Sequence, residues 1–226
     1  MESFWKWYVI ADNAPFFLQA FRLTLELFAL SWIGCWLFAL IFGTMRQSQY
    51  WWLRFPAAAA VEVIRGTPGI MFMVWVYFLS RPIIGYALSP YWAAVWALML
   101  HNGAYAAEIV RAGLDSVPRG QLDAAYSTGL SYVQAMTYIV LPQALRNMAP
   151  AIVNRSVALF KNTSLAFVIG VIELFRAGTI VNGREYASFA VFTFLAVVYF
   201  VCCFSLSQLG NKLGQRPGVI EETTAV

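Results

Sequence analysis

Arg65 and Lys161 are cations set within largely apolar stretches of this sequence. Arg65 lies in Glu62-Val63-Ile64-Arg65-Gly66-Thr67-Pro68-Gly69, and Lys161 opens Lys161-Asn162-Thr163-Ser164-Leu165. The chemistry open to such groups is capture of an anion. A cation at mid-depth in hydrocarbon costs at least ~2.5 kcal/mol to insert, so each must find a carboxylate, a ligand or a polar cavity. Around them stand neutral hydrogen-bonding groups: Asn154, two helical turns before Lys161 on the same face, and then Asn162, Thr163 and Ser164. Gly66, Thr67 and Pro68 should interrupt a helix, because proline removes a donor and clashes with the preceding turn, and broken helices can open backbone groups to a substrate. Each feature also has a plainer reading. Arg65 can pair with Glu62 or Glu108, and Lys161 can draw on those acids or on a second subunit. The break can serve packing, and Asn162 can join helices.

Other chemistries are poorly supplied. No Gly-x-x-x-x-Gly-Lys-Ser/Thr loop is present for ATP, no His/Cys/carboxylate set has metal-ligand spacing, and no serine occupies a nucleophile elbow. The chain is therefore expected not to be an enzyme by itself and to hold no cofactor. Cys35, Cys202 and Cys203 all fall in apolar segments and read as packing residues. His101, the single histidine, reads the same way.

The elements that must position these residues are membrane helices. Of 226 residues, 61% are hydrophobic and 12% charged, more apolar surface than a soluble domain of this size can bury. Apolar stretches run over 20–42, 55–79, 91–111, 150–175 and 188–209, each long enough to cross at roughly 20 residues per span. The first reads as an uncleaved anchor. Aromatic residues such as Trp7, Tyr50, Trp51, Trp52 and Tyr86 flank them at headgroup level. A net charge of +4 could suggest nucleic acid, but the basic residues are scattered singly between apolar runs. With the C-terminus inside, the inner loops hold Arg46, Arg54, Arg111, Arg119, Arg146, Lys212 and Arg216. The outer ones hold Lys6, Arg81, Arg176 and Arg184, which favours an outside N-terminus. On this topology Arg65 and Lys161 each lie about ten residues, roughly 15 Å, from the inner surface.

The longest interruption, 112–149, is less apolar and must lie outside the lipid core. Within it, Asp123-Ala124-Ala125, then Gly129, then Ile139, Leu141 and Pro142 read as a short helix, a glycine turn, and a second helix ending at a proline stop. The small alanines would let a partner surface approach closely.

That spacing resembles the cytoplasmic loop signature of type I ABC importer permeases, with Asp123 where the family usually has Glu. Three further stretches resemble the polar amino acid branch: Glu62 to Pro68, Ala104-Tyr105-Ala106-Ala107-Glu108-Ile109 with Arg111 and Ser116-Val117-Pro118, and Leu141-Pro142-Gln143-Ala144 followed by Lys161 to Leu165. Together they span 18–209, and the pattern is similar to glutamate/aspartate permease subunits of enteric bacteria. The resemblance implies an all-helical membrane subunit of a bacterial inner membrane importer, with a periplasmic segment 1–17, an ABC type-1 transmembrane domain 18–209 and a cytoplasmic tail 210–226. It implies docking of an ATPase dimer, which holds ATP and Mg, on Asp123, Ala124, Ala125, Gly129, Leu141 and Pro142. It further implies a second permease subunit and a periplasmic amino acid binding protein. Many members of the branch have Asp where this chain has Asn162; losing that carboxylate suits an acidic amino acid held by Arg65, Gly66, Thr67, Pro68, Asn154, Lys161, Asn162, Thr163 and Ser164. Two rivals stay open: an ion-driven carrier, and a scaffold subunit whose polar residues only tie helices together.

Overall fold

The computed structural model describes residues 6–214, all in helices and their connections. A short helix α1 (Tyr8–Asp12) leads into α2 (Ala14–Arg46), where Pro15 occupies the first turn and its missing N–H leaves no bond unmade. No later proline interrupts α2, so its 33 residues run about 50 Å. The expected break at Gly66–Pro68 is present and sharp: α3 (Trp51–Arg65) and α4 (Gly69–Ile84) meet at 109°.

Ser89 and Pro90 open α5 (Pro90–Asp115), the helix around which the bundle is built. Its buried face is largely small: Ala93, Ala94, Ala97, Ala104, Ala106 and Ala107. Small residues let helices close in where lipid gives no hydrophobic drive to associate. α2 packs along that face. A Cβ on Gly43 would lie 2.8 Å from the Ala107 carbonyl, so only glycine permits this approach.

The segment between α5 and the next long helix holds α6 (Arg119–Ser127) and α7 (Tyr132–Ala135). Gly129 turns the chain between them at φ +83°, a conformation that costs glycine nothing, and Ser131 with Gln134 forms a capping box that starts α7. α7 then continues through a widened turn, Met136–Val140, into α8 (Leu141–Asn162). Pro142 thus starts a long helix instead of stopping one. Its ring and missing N–H are accommodated because the turn before it is opened to a π-type spacing.

The fourth span also differs from expectation. It begins nine residues earlier than 150 and ends as a helix at Asn162, followed by a tight 3₁₀ segment, Thr163–Ile169. After Gly170, Glu173 caps α9 (Leu174–Glu185), bent 51° from the preceding helix, and α10 (Ser188–Gly214) completes the described chain. Among the described residues two helices, Ala14–Arg46 and Ser188–Gly210, are alone long and apolar enough to cross a bilayer. The two bent pairs meet that test only as pairs. α5 is long enough but diluted by His101, Asn102 and its small residues, which the bundle hides. The ends of the expected N-terminal segment and tail, 1–5 and 215–226, lie outside the described residues.

Gly43→Val is expected to cost ~1–3 kcal/mol through overpacking against α5. Thermal unfolding followed by size-exclusion chromatography in detergent checks it, and an unchanged midpoint would overturn the packing account.

Candidate functional site

α5 presents His101, Tyr105 and Glu108 at i, i+4 and i+7, a single stripe facing the end of α3. The Tyr105 hydroxyl donates to the Arg65 carbonyl at 3.1 Å, and His101 Nε2 lies 3.2 Å from the Thr67 carbonyl; since a carbonyl only accepts, Nε2 carries the proton. These side chains occupy acceptors that a helix end leaves without partners. The Thr67 hydroxyl in turn donates to the Val63 carbonyl. α5 therefore secures two carbonyls of the break, those of Arg65 and Thr67, while Gly66 and Pro68 remain exposed.

Glu108 is the hub of an ion network. Its carboxylate meets Arg46 at 3.0 Å, Arg65 at 3.6 Å and Arg111, while Glu62 pairs with Arg46 and Arg65, and Asp115 with Arg111. Of the readings open for Arg65, the ion pair is realised, with both acids. Three arginines and three carboxylates balance.

A fourth arginine stands outside this balance. Arg155 on α8 has no carboxylate within ion-pair distance among the described residues. One guanidinium nitrogen donates to Asn102 at 2.8 Å, and its buried Nε lacks a hydrogen-bond partner. Arg155 and Arg65 both stack over the Tyr105 ring, 4.9 and 5.4 Å from its centroid. These residues, with Asn154, line a cavity of about 580 Å³ between α5, α8 and the end of α3.

Sequence reasoning paired Arg65 with Lys161 by depth, and the structure replaces that partner. Because α8 starts at Leu141, Lys161 lies about 30 Å along it, whereas Arg65 and Arg155 each lie fourteen residues, about 21 Å, from the start of their helices. Lys161 and Ser164 instead border a separate groove with Tyr199, Phe200 and Cys203. Thr163 is fully buried with its hydroxyl on the Phe160 carbonyl, and Asn162 donates to Asn102 at 3.0 Å. Of the nine expected binding residues, Arg65 and Asn154 share the cavity. Arg155 was missed although the signal was there, a cation beside Asn154 inside the fourth apolar run.

In the loop, Asp123, Ala124, Gly129, Leu141 and Pro142 are exposed, together with the rings of Tyr126 and Tyr132. Ala125 is not available to a partner: it is 5% exposed, and its carbonyl accepts from Thr128 and Leu130.

A family profile described as binding-protein-dependent transport system inner membrane component matches residues 35–218. The chain belongs to that family. The permease is 38% identical over 208 residues to the probable glutamine ABC transporter permease protein GlnP of Bacillus subtilis, covering 91% of this chain and 95% of that one. It is 31% identical over 219 residues to the glutamate/aspartate import permease protein GltK of Escherichia coli O6:H1, covering 93% and 97%. Among solved structures, the crystal structure of an amino acid ABC transporter with histidines superposes at TM-score 0.83 with 31% identity, over 91% of this chain and 95% of that one. The fold is the all-helical type-1 ABC permease fold, and the chain is an amino acid ABC importer permease subunit.

Glu108→Gln is expected to leave Arg46 and Arg65 with the exposed Glu62 and Arg111 with the exposed Asp115 and to cost about 1.5–3 kcal/mol, while Glu62→Gln, at a more exposed carboxylate, should cost within ~1 kcal/mol. Melting points of the two variants in detergent test the ranking; equal losses would deny Glu108 its central place.

Proposed function

We propose that this permease forms half of the pathway of a bacterial inner membrane importer for acidic amino acids, glutamate and aspartate. The observation that carries the reading is the unbalanced charge of the cavity: its ion network is neutral, and Arg155 adds one positive charge with a free buried N–H. A zwitterionic amino acid leaves that charge unanswered beyond its α-carboxylate, whereas an acidic one brings net −1 to it. Arg155 meets the anion, Asn154 supplies neutral hydrogen bonds, and Arg65 is held in place by Glu62 and Glu108.

α8 exposes Asn147, Asn154 and Lys161 at intervals of seven, a polar line unsuited to lipid. It faces a second permease subunit, identical or homologous, across the pathway. An ATPase dimer carrying ATP and Mg docks on the loop from Asp123 to Pro142, and a periplasmic binding protein delivers the substrate. The N-terminus is then periplasmic and the C-terminus cytoplasmic. Likeness to ABC permeases supports ATP as the driving force over an ion gradient. A glutamine pathway is the second reading, because the relative at 38% identity is named for glutamine.

Proteoliposomes holding the whole complex and its binding protein provide the test. ATP-dependent uptake of labelled glutamate, competed by aspartate and not by glutamine or arginine, is expected, and preferential glutamine uptake would transfer the assignment to the second reading. At the docking loop, Gly129→Val should force a β-branched residue to positive φ and reduce ATPase co-purification by about tenfold, an effect of ~1.4 kcal/mol. Undiminished recovery of the ATPase would remove the turn from the docking surface.

A further inference from the structure

The loop end of the bundle holds a second group of arginines, apart from the cavity. Arg46 in the last turn of α2, Arg54 at the start of α3 and Arg111 near the end of α5 line a pocket of about 370 Å³ together with Trp51, Phe55 and Ala58. Small-ligand sites span roughly 300–1,000 Å³, so the volume suffices for a compact head group. No carboxylate lines this pocket. The acids that pair with Arg46 and Arg111, namely Glu62, Glu108 and Asp115, lie outside its wall and are already balanced by the network they form with Arg65. Arg54 is exposed and has no carboxylate within ion-pair distance among the described residues. Its charge is the surplus.

The apolar part of the pocket is graded along α3. Trp51, Arg54, Phe55 and Ala58 recur at helical spacing on one face, and Ala58 lies about 10 Å further along the helix than Trp51. Trp51 and Phe55 are 72% and 70% exposed, and the exposed rings of Tyr50 and Trp52 stand beside them. Such a cluster marks the level at which hydrocarbon meets head groups. The pocket thus offers cations at the membrane surface and an apolar wall running inward. A small free anion answers only the first, and a zwitterionic lipid brings a cation with its phosphate. An amphiphile with a net negative head answers both.

We propose that this pocket binds the phosphate of an anionic phospholipid, with Arg54 as the principal contact and the acyl chains lying along Phe55 and Ala58. Guanidinium groups meet phosphate oxygens through paired, charge-assisted hydrogen bonds, and basic pockets between helices at a membrane surface suit such head groups. The bound lipid bridges the ends of α2, α3 and α5, the same three helices that Glu108 draws together. The site is separate from the cavity and independent of which amino acid the permease carries.

Native mass spectrometry of the purified permease–ATPase complex, delipidated and then exposed to phosphatidylglycerol or phosphatidylcholine with the same chains, checks the site. The wild-type complex is expected to retain phosphatidylglycerol in preference, and Arg54→Gln should lower that preference about fivefold, the effect of one cation near a membrane surface. Arg54→Lys keeps the charge and loses the fork, so an intermediate preference is expected. Arg81→Gln, at an exposed arginine in the last turn of α4 that has no part in the pocket, should leave the preference unchanged. An equal loss from Arg81→Gln, or none from Arg54→Gln, overturns the proposal. Inorganic phosphate at millimolar concentration separates the two sources of the same chemistry: retention of the lipid supports the assignment, and its release gives the pocket to a free anion and overturns it. Should Arg54→Gln fail to assemble, the thermal midpoint of the wild-type complex decides. Phosphatidylglycerol should raise it more than phosphatidylcholine does, and equal shifts overturn the proposal.

Discussion

Removing a charge from water costs more than most single contacts return, and this permease places seven charged side chains around one region of its bundle. The arrangement holds because Glu108 is shared by three arginines drawn from the ends of α2, α3 and α5 itself. Each of those helices has a reason to converge there. Glycine and alanine let α2 lie against α5, the break at Pro68 ends α3 beside it, and the Tyr105 and His101 side chains secure the broken backbone. Loss of the carboxylate would leave Arg46 and Arg65 with Glu62 and Arg111 with Asp115, both exposed acids, and α5 would no longer be tied to the ends of α2 and α3.

Against that background the position of Arg155 has meaning. It reaches the same aromatic ring as Arg65 from the opposite helix, but its hydrogen-bond partner is an amide that carries no charge. The cavity therefore combines a settled, internally neutral side with an unsettled one. Tyr105 serves both, bonding the α3 backbone with its hydroxyl and stacking both guanidinium groups with its ring.

Much of this was legible in the sequence, for physical reasons that differ from residue to residue. The helix break could be read because proline and glycine act locally, and the Arg65 ion pair because Glu62 lies one turn away. The helix–turn–helix of the loop could be read because its glycine turn is a local pattern. The depth of the cations could not, since it depends on where α8 begins, and Pro142 gave a false stop: a widened turn, which no local propensity announces, carried the helix across it. Arg155 was passed over for the same reason, as its facing partner is decided by packing against α5. Burial of Ala125 and Thr163 was equally invisible, because small and hydroxyl residues are read as available until a neighbour covers them.

The widened turn has a mechanical side. From Tyr132 to Arg155 the chain is helical without a gap, some 23 residues or about 35 Å of rod between the exposed loop and the unpaired guanidinium. Pivoted at its loop end, a rod of that length is a lever. A tilt of about 10° at the loop end sweeps the guanidinium through roughly 6 Å, more than the 2.8 Å that joins it to Asn102, so motion at the loop is enough to take the cation off its anchor.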